Sequence, residues 1–362
     1  MGERVLVGMS GGIDSTVTAL LLRERGYEPE GVTLVLQEAG SLPVGACGYD
    51  ASREAAEAAR QIGIPHETVD ARAAFTEGVL RASWHVFAAG GTPNPCVLCN
   101  ANVRFAMMVA LAQSRGASLI ATGHYAQMVH EGPRVRLARG VDGKKDQSYF
   151  LYGIPPELYP HILFPLGGMT KPEVRETARR FGLSNAEKSD SQDLCFAGPE
   201  GHFSEKLRKM FSGPSVPGVF VDESGRVLGT HTGVHQYTLG QRKGLGFATG
   251  ARVKICKINP ADGTIRVSPR PDAVLGTAAR SDHFRWTEKP LPVGTRLLAQ
   301  VRYRQAAMPA VLTRAEADEV EVLFDQPVFS ITKGQSLVLY DGPYVLGGGV
   351  IAASSTLADE TA

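Results

Sequence analysis

The chain has 362 residues, 43% of them hydrophobic and 21% charged, with a formal net charge of +1. That mix excludes a disordered chain, which needs fewer apolar residues and more net charge, and at roughly 100–200 residues per domain the length predicts two or three domains. Charge alone does not announce a nucleic-acid binder: residues 1–200 hold 19 Lys/Arg against 22 Asp/Glu and residues 201–362 hold 19 against 15, a gradient from −3 to +4 that ordinary surface scatter explains.

Arg4–Met9 is a short apolar run of the kind that forms a buried parallel strand. Ser15–Arg25 reads as a helix stopped by Gly26, Gly31–Leu36 as a strand, Ala51–Ile62 and Val103–Gln113 as helices and Ala117–Thr122 as a strand. Thr170, followed by Lys171, Pro172 and Glu173, carries the capping-box signature of a helix ending near Gly182. This alternation predicts an α/β domain with a parallel sheet. The pattern changes after about residue 210, where segment 213–218 (GPSVPG) has two Pro and two Gly. Short strand-like runs follow at Gly218–Val221, Val253–Ile258, Thr264–Val267, Leu297–Tyr303, Ala310–Leu312, Val320–Leu323 and Ser336–Tyr340. Turn signals at Asp222–Gly225, Asp262–Gly263 and Asp341–Gly342 separate them. The second half is therefore expected to be mostly β, one small domain and one barrel-like domain. Residues 355–362 read as a frayed tail. No secretory signal is visible and no apolar run approaches the ~18–20 residues that span a bilayer, so a cytoplasmic chain without membrane contact is expected.

The sequence VLVGMSGGIDST, Val5 to Thr16, ends a strand at Met9 and opens a helix after Ser10, Gly11, Gly12, Ile13, Asp14 and Ser15. Glycines let backbone N–H groups approach an anion, and the next helix start favours negative charge. A Walker loop needs a Lys before its Ser/Thr, and none is here. The order S-G-G-x-D-S looks instead like the loop of enzymes that split ATP into AMP and pyrophosphate. There Asp14 would hold Mg²⁺, and Ser10 and Ser15 would bond phosphate oxygens.

The five cysteines are Cys47, Cys96, Cys99, Cys195 and Cys256. In a reducing cytosol they do not read as a disulfide framework. Cys96 and Cys99 stand three apart in the run Asn94-Pro95-Cys96-Val97-Leu98-Cys99-Asn100, which brings both sulfurs to one side of a helical turn. A C-x-x-C pair suits metal ligation or redox work, and the usual zinc site needs a second pair that is absent. Cys195, in SDSQDLCF, completes a chemistry-capable set of three, whereas Cys47 and Cys256 read as small buried residues, Cys256 on a strand.

Together these segments make the chain resemble the tRNA-specific 2-thiouridylases of the PP-loop ATP pyrophosphatase superfamily. The resemblance is carried, in order, by GMSGGIDS (8–15), TPNPCVLCN (92–100), ATGHYA (121–126), KDQSYFL (145–151), FPLGGMTKPEVR (164–175), SQDLCF (191–196), YTLGQRKGLG (237–246), VRYRQ (301–305) and GQSLVLYDG (334–342). It implies a PP-loop, adenine nucleotide alpha hydrolase-like catalytic domain over residues 1–209, a small central β domain over 210–275, a C-terminal β-barrel over 276–355 and a tail over 356–362. It also implies ATP and Mg²⁺ at Gly8, Met9, Ser10, Gly11, Gly12, Ile13, Asp14 and Ser15, with Leu34 and Gly123 contacting ATP. The 2-oxygen of a wobble uridine in the anticodon stem-loop of tRNA would be adenylated and replaced by sulfur. Cys99 matches the nucleophile, and Cys195 the carrier of a persulfide supplied by a cysteine desulfurase or sulfur-relay protein. A thiolate is a strong nucleophile, and a second thiol can resolve a disulfide and free the sulfur. Asn94, Pro95 and Cys96 fall where the family cradles the target base. His124, Lys145, Asp146, Gln147, Arg302, Tyr303 and Gln335 fall at its tRNA contacts. The stretch 205–256 has eight Lys/Arg against three Asp/Glu, with the QRKG turn at 241–244 inside it, suited equally to phosphate contacts and to a solvated face.

One position departs from the family. Many members have Asp where this chain has Cys96. The substitution creates a set, Cys96, Cys99 and Cys195, that is able to hold an iron–sulfur cluster of the [4Fe-4S] type with one open iron, so a cluster route stands beside the persulfide route. Two rival classes share the phosphate loop: ATP-dependent amidotransferases or ligases, and non-catalytic nucleotide- or RNA-binding scaffolds. Neither calls for the three cysteines, and the glutamine-dependent ligases need a glutaminase domain or partner that the sequence does not supply.

Overall fold

The structure, a computed structural model, describes residues 2–37, 49–187 and 203–356. Cys47, Cys195 with the rest of SQDLCF, and residues 357–362 lie outside the described residues. The described residues form two compact units. The first takes those of Met1–Val79, Pro95–Glu200 and Pro343–Val345, and the second takes Leu80–Asn94, Gly201–Gly342 and Leu346–Ala362.

The strands of the first unit are β1 (Arg4–Gly8), β2 (Glu28–Val35), β3 (His66–Asp70), β4 (Leu119–Thr122), β5 (Ala126–Glu131), β6 (Arg134–Arg139) and β7 (Ile162–Leu163). Five of them make a parallel sheet in the order β3-β2-β1-β4-β7. The sequence of β1 suits its central place: Val5, Leu6 and Val7 are fully buried, as a strand covered on both faces requires. Val5 and Val7 pack with Val17 and Leu20 of helix Ile13–Glu24, Ala55 and Ala59 of helix Tyr49–Gln61, and Val174 and Ala178 of helix Lys171–Arg180. On the opposite face, Gly8 meets Met108 of helix Phe105–Ser114, where a Cβ would lie 3.2 Å from the Met108 sulfur. The winding reverses at β1, so the loop after it opens at a switch point, the usual ligand crevice of such sheets. β5 and β6 form an antiparallel hairpin. The helix at 171 starts with the expected capping box, Thr170 with Glu173, and Gly182 ends its turn with φ 63°.

The second unit holds two β layers. A four-stranded sheet, β10-β11-β8-β9, is built from β8 (Gly218–Val221), β9 (Val227–His231), β10 (Lys254–Asn259) and β11 (Thr264–Ser268) around Phe220, Ile255, Ile265 and Val267. The remaining strands are β12 (Leu275–Trp286), β13 (Arg296–Gln300), β14 (Met308–Ala315), β15 (Val320–Phe329), β16 (Ser336–Asp341) and β17 (Tyr344–Thr356). They run in the order β12-β15-β14-β13-β16-β17, and β17 pairs back onto β12, which closes an antiparallel barrel and removes its edges. The α/β half and the mostly β half are thus as the alternation and turn signals predict, and Gly225, Gly263 and Gly342 all take positive φ at the expected turns.

Three of the features named in the sequence reading turn out differently. The helix expected at 103–113 begins at Pro95 and is interrupted by a π-helical stretch, Asn100–Arg104. Taken whole, Pro95–Ser114 is 20 residues long and apolar on average, and half of its most apolar stretch is buried in the unit. The strand expected at 297–303 stops at Gln300, because the Gln300 side-chain amide donates to the carbonyls of Arg302, Tyr303 and Gln305 and folds those residues into a turn. Cys256 is only partly buried: it falls at the register shift between Ile255 and Lys257, where a bulge turns it out of the core. Because Leu6 is fully buried in the central strand, Leu6→Ala should cost about 2–5 kcal/mol and lower the denaturation midpoint of the first unit; an unchanged midpoint in a urea titration would contradict this placement.

Candidate functional site

The phosphate loop is shaped from its own residues. Met9 continues β1 by donating its amide to Val32 O, and its carbonyl accepts the Thr33 hydroxyl at 2.8 Å. Gly11 then takes φ 72°, and a Cβ there would meet Glu54 Cβ at 2.4 Å, so only glycine fits. The Ser10 amide donates to Ser15 Oγ at 3.1 Å, the two hydroxyls lie 3.4 Å apart, and Ser15 Oγ donates to Gly12 O. Gly12 is the N-cap of helix Ile13–Glu24 and supplies no side-chain cap. Of the predicted loop residues, Ile13 is buried in the core, while Ser10, Gly12 and Asp14 keep partial exposure. A helix start with no side-chain cap, flanked by two hydroxyls, is suited to an anion.

Gly123 follows β4 and abuts this loop: a Cβ on it would sit 2.9 Å from Asp14 C and 3.0 Å from Ser15 N. Leu34, near the end of β2 and paired with Val69, is half-buried. Asp14 Oδ1 accepts the Tyr125 hydroxyl at 2.8 Å and the Lys171 ammonium at 2.7 Å. Asn185 Nδ2 donates to Gly11 O and to Thr16 Oγ1, both at 3.1 Å, which ties down the back of the loop.

The thiol helix lies in the same unit. Cys99 is buried and Cys96 partly exposed on the α-helical turn Pro95–Cys99. Asn100 and Arg104 lie in the π-helical stretch that follows them. Asn100 Nδ2 donates to Phe150 O at 3.1 Å, and Arg104 Nη1 reaches Asn100 Oδ1 at 3.4 Å and His124 Nε2 at 3.5 Å. His124 Nδ1 lies 2.7 Å from the Thr122 hydroxyl, and its ring sits 5.9 Å from those of both Phe105 and Phe164. Burial, and then the Arg104 charge, push the His124 pKa down to about 3. The ring is neutral at physiological pH, with Nε2 accepting from Arg104 and Nδ1–H donating to Thr122.

Several residues expected at tRNA contacts make internal bonds. Asp146 accepts from the Gly140 and Ser148 amides, the Ser148 hydroxyl and Arg139, and so fixes the loop that carries it. Gln147 is bonded both ways to Tyr125: its amide donates to Tyr125 O, and its Oε1 accepts the Tyr125 amide. The Lys145 amide donates to Asp142 O in the same loop. In the second unit, Gln335 Nε2 donates to the carbonyls of Thr92 and Pro93, and Asn94 Nδ2 reaches Ser336 Oγ at 3.4 Å. There too, Arg302 donates to Leu239 O, Ser330 Oγ and Thr332 Oγ1, and Tyr303 lies in the turn beside it. The first unit therefore gathers the phosphate loop, Gly123, His124 and the Lys145–Gln147 loop, and it also carries Pro95, Cys96 and Cys99. Asn94, Arg302, Tyr303 and Gln335 belong to the second. Among the described residues no three His, Cys, Asp or Glu side chains gather as a metal site, and Cys195, the third member of the cluster reading, lies outside them. Sequence reading missed Tyr125, Lys171, Arg104, Asn100 and Asn185. Tyr125 and Lys171 stood inside the quoted ATGHYA and FPLGGMTKPEVR segments, but only the fold brings them to Asp14.

A nucleotide-type phosphate loop on a parallel sheet, followed by a small β-sheet and a closed barrel, defines a three-part chain, and each part matches a family model. Residues 3–199 match the tRNA methyl transferase HUP domain, 209–269 the tRNA methyl transferase PRC-barrel domain and 277–351 the aminomethyltransferase beta-barrel domain. A tRNA-specific 2-thiouridylase MnmA from Synechococcus sp. is 42% identical over 354 residues, covering 96% of this chain and 97% of that protein. One from Carboxydothermus hydrogenoformans is 39% identical over 357 residues, covering 96% and 97%. The chain belongs to the tRNA-specific 2-thiouridylase family.

The depressed His124 pKa has a signed consequence. A ring held neutral in the fold but titrating near 6.5 when unfolded adds full stability above about pH 6.5, and that contribution falls by up to about 1.4 kcal/mol per pH unit as pH drops toward 3. His124→Gln should flatten the pH dependence of the denaturation midpoint between about pH 7 and 5; an equal slope in both proteins would contradict a ring held neutral by its surroundings.

Proposed function

We propose that this chain uses ATP to activate the 2-oxygen of a tRNA uridine and exchanges it for sulfur. The observation that carries this reading is the pairing, in one unit of a family member, of an anion-ready phosphate loop at Gly8–Ser15 with the Cys96–Cys99 helix. The residues fit the ligands asked of them. Gly8, Met9, Ser10, Gly11, Gly12, Ile13, Asp14 and Ser15 cradle the phosphates, with Gly123 and Leu34 beside the nucleotide and the Asp14 carboxylate offered to Mg²⁺, which when bound offsets phosphate charge.

The uridine 2-oxygen attacks the α-phosphorus, the bond to pyrophosphate breaks, and a poor leaving oxygen becomes part of AMP. A persulfide on Cys195 then attacks the activated carbon, and AMP departs. The Cys99 thiolate attacks Cys195 Sγ, which forms a Cys99–Cys195 disulfide and leaves the sulfur on the base; a thiol reductant resets the pair. Asn94, Pro95 and Cys96 hold the flipped base. His124, held neutral by burial and Arg104, accepts no proton in these steps and acts as a tRNA contact with Lys145, Asp146, Gln147, Arg302, Tyr303 and Gln335. The internal bonds of Asp146, Gln147 and Gln335 support this by fixing the loops that meet the RNA. The concavity of about 1370 Å³ lined by Gly240–Val253 carries Arg242, Lys243 and Arg252, which suits phosphate contacts. The sulfur arrives from a cysteine desulfurase or sulfur-relay protein.

Cys96 favours a second route, in which Cys96, Cys99 and Cys195 would hold an iron–sulfur cluster that would supply a site for the incoming sulfide. Incubation with unmodified tRNA, Mg²⁺-ATP, a cysteine desulfurase and cysteine should yield ATP-dependent 2-thiouridine by mass spectrometry of digested tRNA, abolished in Cys99→Ser. Iron and sulfide analysis of anaerobically purified protein separates the routes: full activity without iron removes the cluster. ATP cleavage to AMP with no thiolated base under either atmosphere would mean that the acceptor is wrong.

A further inference from the structure

Lys171 is the first residue of helix Lys171–Arg180, and its side chain is only 9% exposed. Its own helix gives no reason for a buried lysine at that position. The capping box is made by Thr170 and Glu173, and an ammonium at a helix start opposes the helix dipole. The reason lies across the unit. The Nζ atom is 2.7 Å from Asp14 Oδ1 and 5.8 Å from the centre of the Tyr125 ring, whose hydroxyl bonds the same Asp14 oxygen. The Lys171 amide donates to Asp142 Oδ2 at 3.0 Å, which fixes the base of the side chain. A cation is thereby held against the second residue of the helix that follows the phosphate loop, a place the S-G-G-x-D-S sequence leaves without the lysine a Walker loop has.

We propose that Lys171 is a catalytic residue for the first half-reaction: its ammonium binds the β- and γ-phosphate oxygens of ATP and holds the departing pyrophosphate. This rests on the reading of Gly8–Ser15 as the ATP site. Asp14 Oδ1 is the atom that Lys171 and Mg²⁺ both want. A divalent cation on the carboxylate would free the ammonium for the phosphate oxygens beside it. Negative charge grows on the pyrophosphate as the α-phosphorus bond breaks, and a positioned cation stabilises that state more than the ground state. Tyr125, bonded to Asp14 and to Gln147, keeps the carboxylate in place during the exchange.

The test is calorimetric binding of Mg²⁺-ATP, pyrophosphate and AMP to the wild-type chain, Lys171→Gln and Lys171→Arg, with thermal melts to show that each is folded. The glutamine amide still donates to Asp14 but carries no charge. Lys171→Gln should bind ATP and pyrophosphate roughly ten- to hundredfold more weakly, as loss of one charge-assisted bond implies, with AMP affinity unchanged. Lys171→Arg should retain more of the ATP affinity and likewise leave AMP unchanged, which makes it an independent reading if the glutamine chain does not fold. Equal losses for ATP and AMP would assign Lys171 a structural role only and overturn the proposal, as would wild-type ATP affinity in Lys171→Gln. A wild-type chain that binds AMP but shows no gain from the β- and γ-phosphates also overturns it. One that binds no nucleotide overturns the ATP reading itself.

Discussion

One oxygen of Asp14 takes both the Tyr125 hydroxyl and the Lys171 ammonium. Three distant stretches of chain, the phosphate loop, the segment after β4 and the helix at 171, are joined at that atom. A carboxylate with two such donors is worth more than its Coulomb attraction, since removing any partner leaves a half-buried charge to be desolvated alone. Asp14 keeps 34% of its side chain exposed, however, so the pair stays open to solvent screening and to exchange. An arrangement of this kind holds a loop in shape while leaving its carboxylate available to an incoming cation.

From this point the bonding runs outward in two directions. Tyr125 is bonded at its amide and carbonyl to Gln147, and the Lys171 amide is bonded to Asp142, whose carbonyl accepts the amides of Lys145 and Asp146. The Lys145–Gln147 loop is thus anchored to the same residues that hold Asp14. On the other side, Gly123 presses on Asp14 and Ser15, and His124 next to it is bonded through Arg104 to Asn100, the residue after Cys99. The phosphate loop, the thiol helix and the Lys145–Gln147 loop are therefore parts of one packed network within the first unit.

How much of this was legible beforehand follows from where the signals are local. A loop of this kind is written in consecutive residues, because its shape depends on backbone φ and on side chains a few positions apart, so Gly8–Ser15 stands out in the sequence itself. The buried strand β1 and the capping box at Thr170 were equally local. β3, β9 and β12 were missed because half-exposed strands do not keep a clean alternation, and β17 because its Gly347 and Gly349 look like turn residues. In the fold they are there because Phe284 lies against them, where a Cβ would be 2.7 Å from its ring at Gly347 and 2.9 Å from its Cα at Gly349. The Lys171–Asp14 pair spans 157 positions, and no spacing rule reaches that far. The π-helical stretch at Asn100–Arg104, which ends at the arginine that reaches His124, has no sequence signature either. Resemblance located His124, Asp146 and Gln335, but only the structure gives the bonds they make.

The central claim is that the uridine 2-oxygen itself attacks ATP, and the fate of that oxygen tests it most directly. A tRNA carrying ¹⁸O at C2 of its target uridine, turned over with Mg²⁺-ATP and a sulfur source, should release AMP containing the label while the base gains sulfur. Thiolated product accompanied by unlabelled AMP, or by AMP that takes its oxygen from labelled water, would contradict the account, because ATP would then be hydrolysed beside the base instead of activating it.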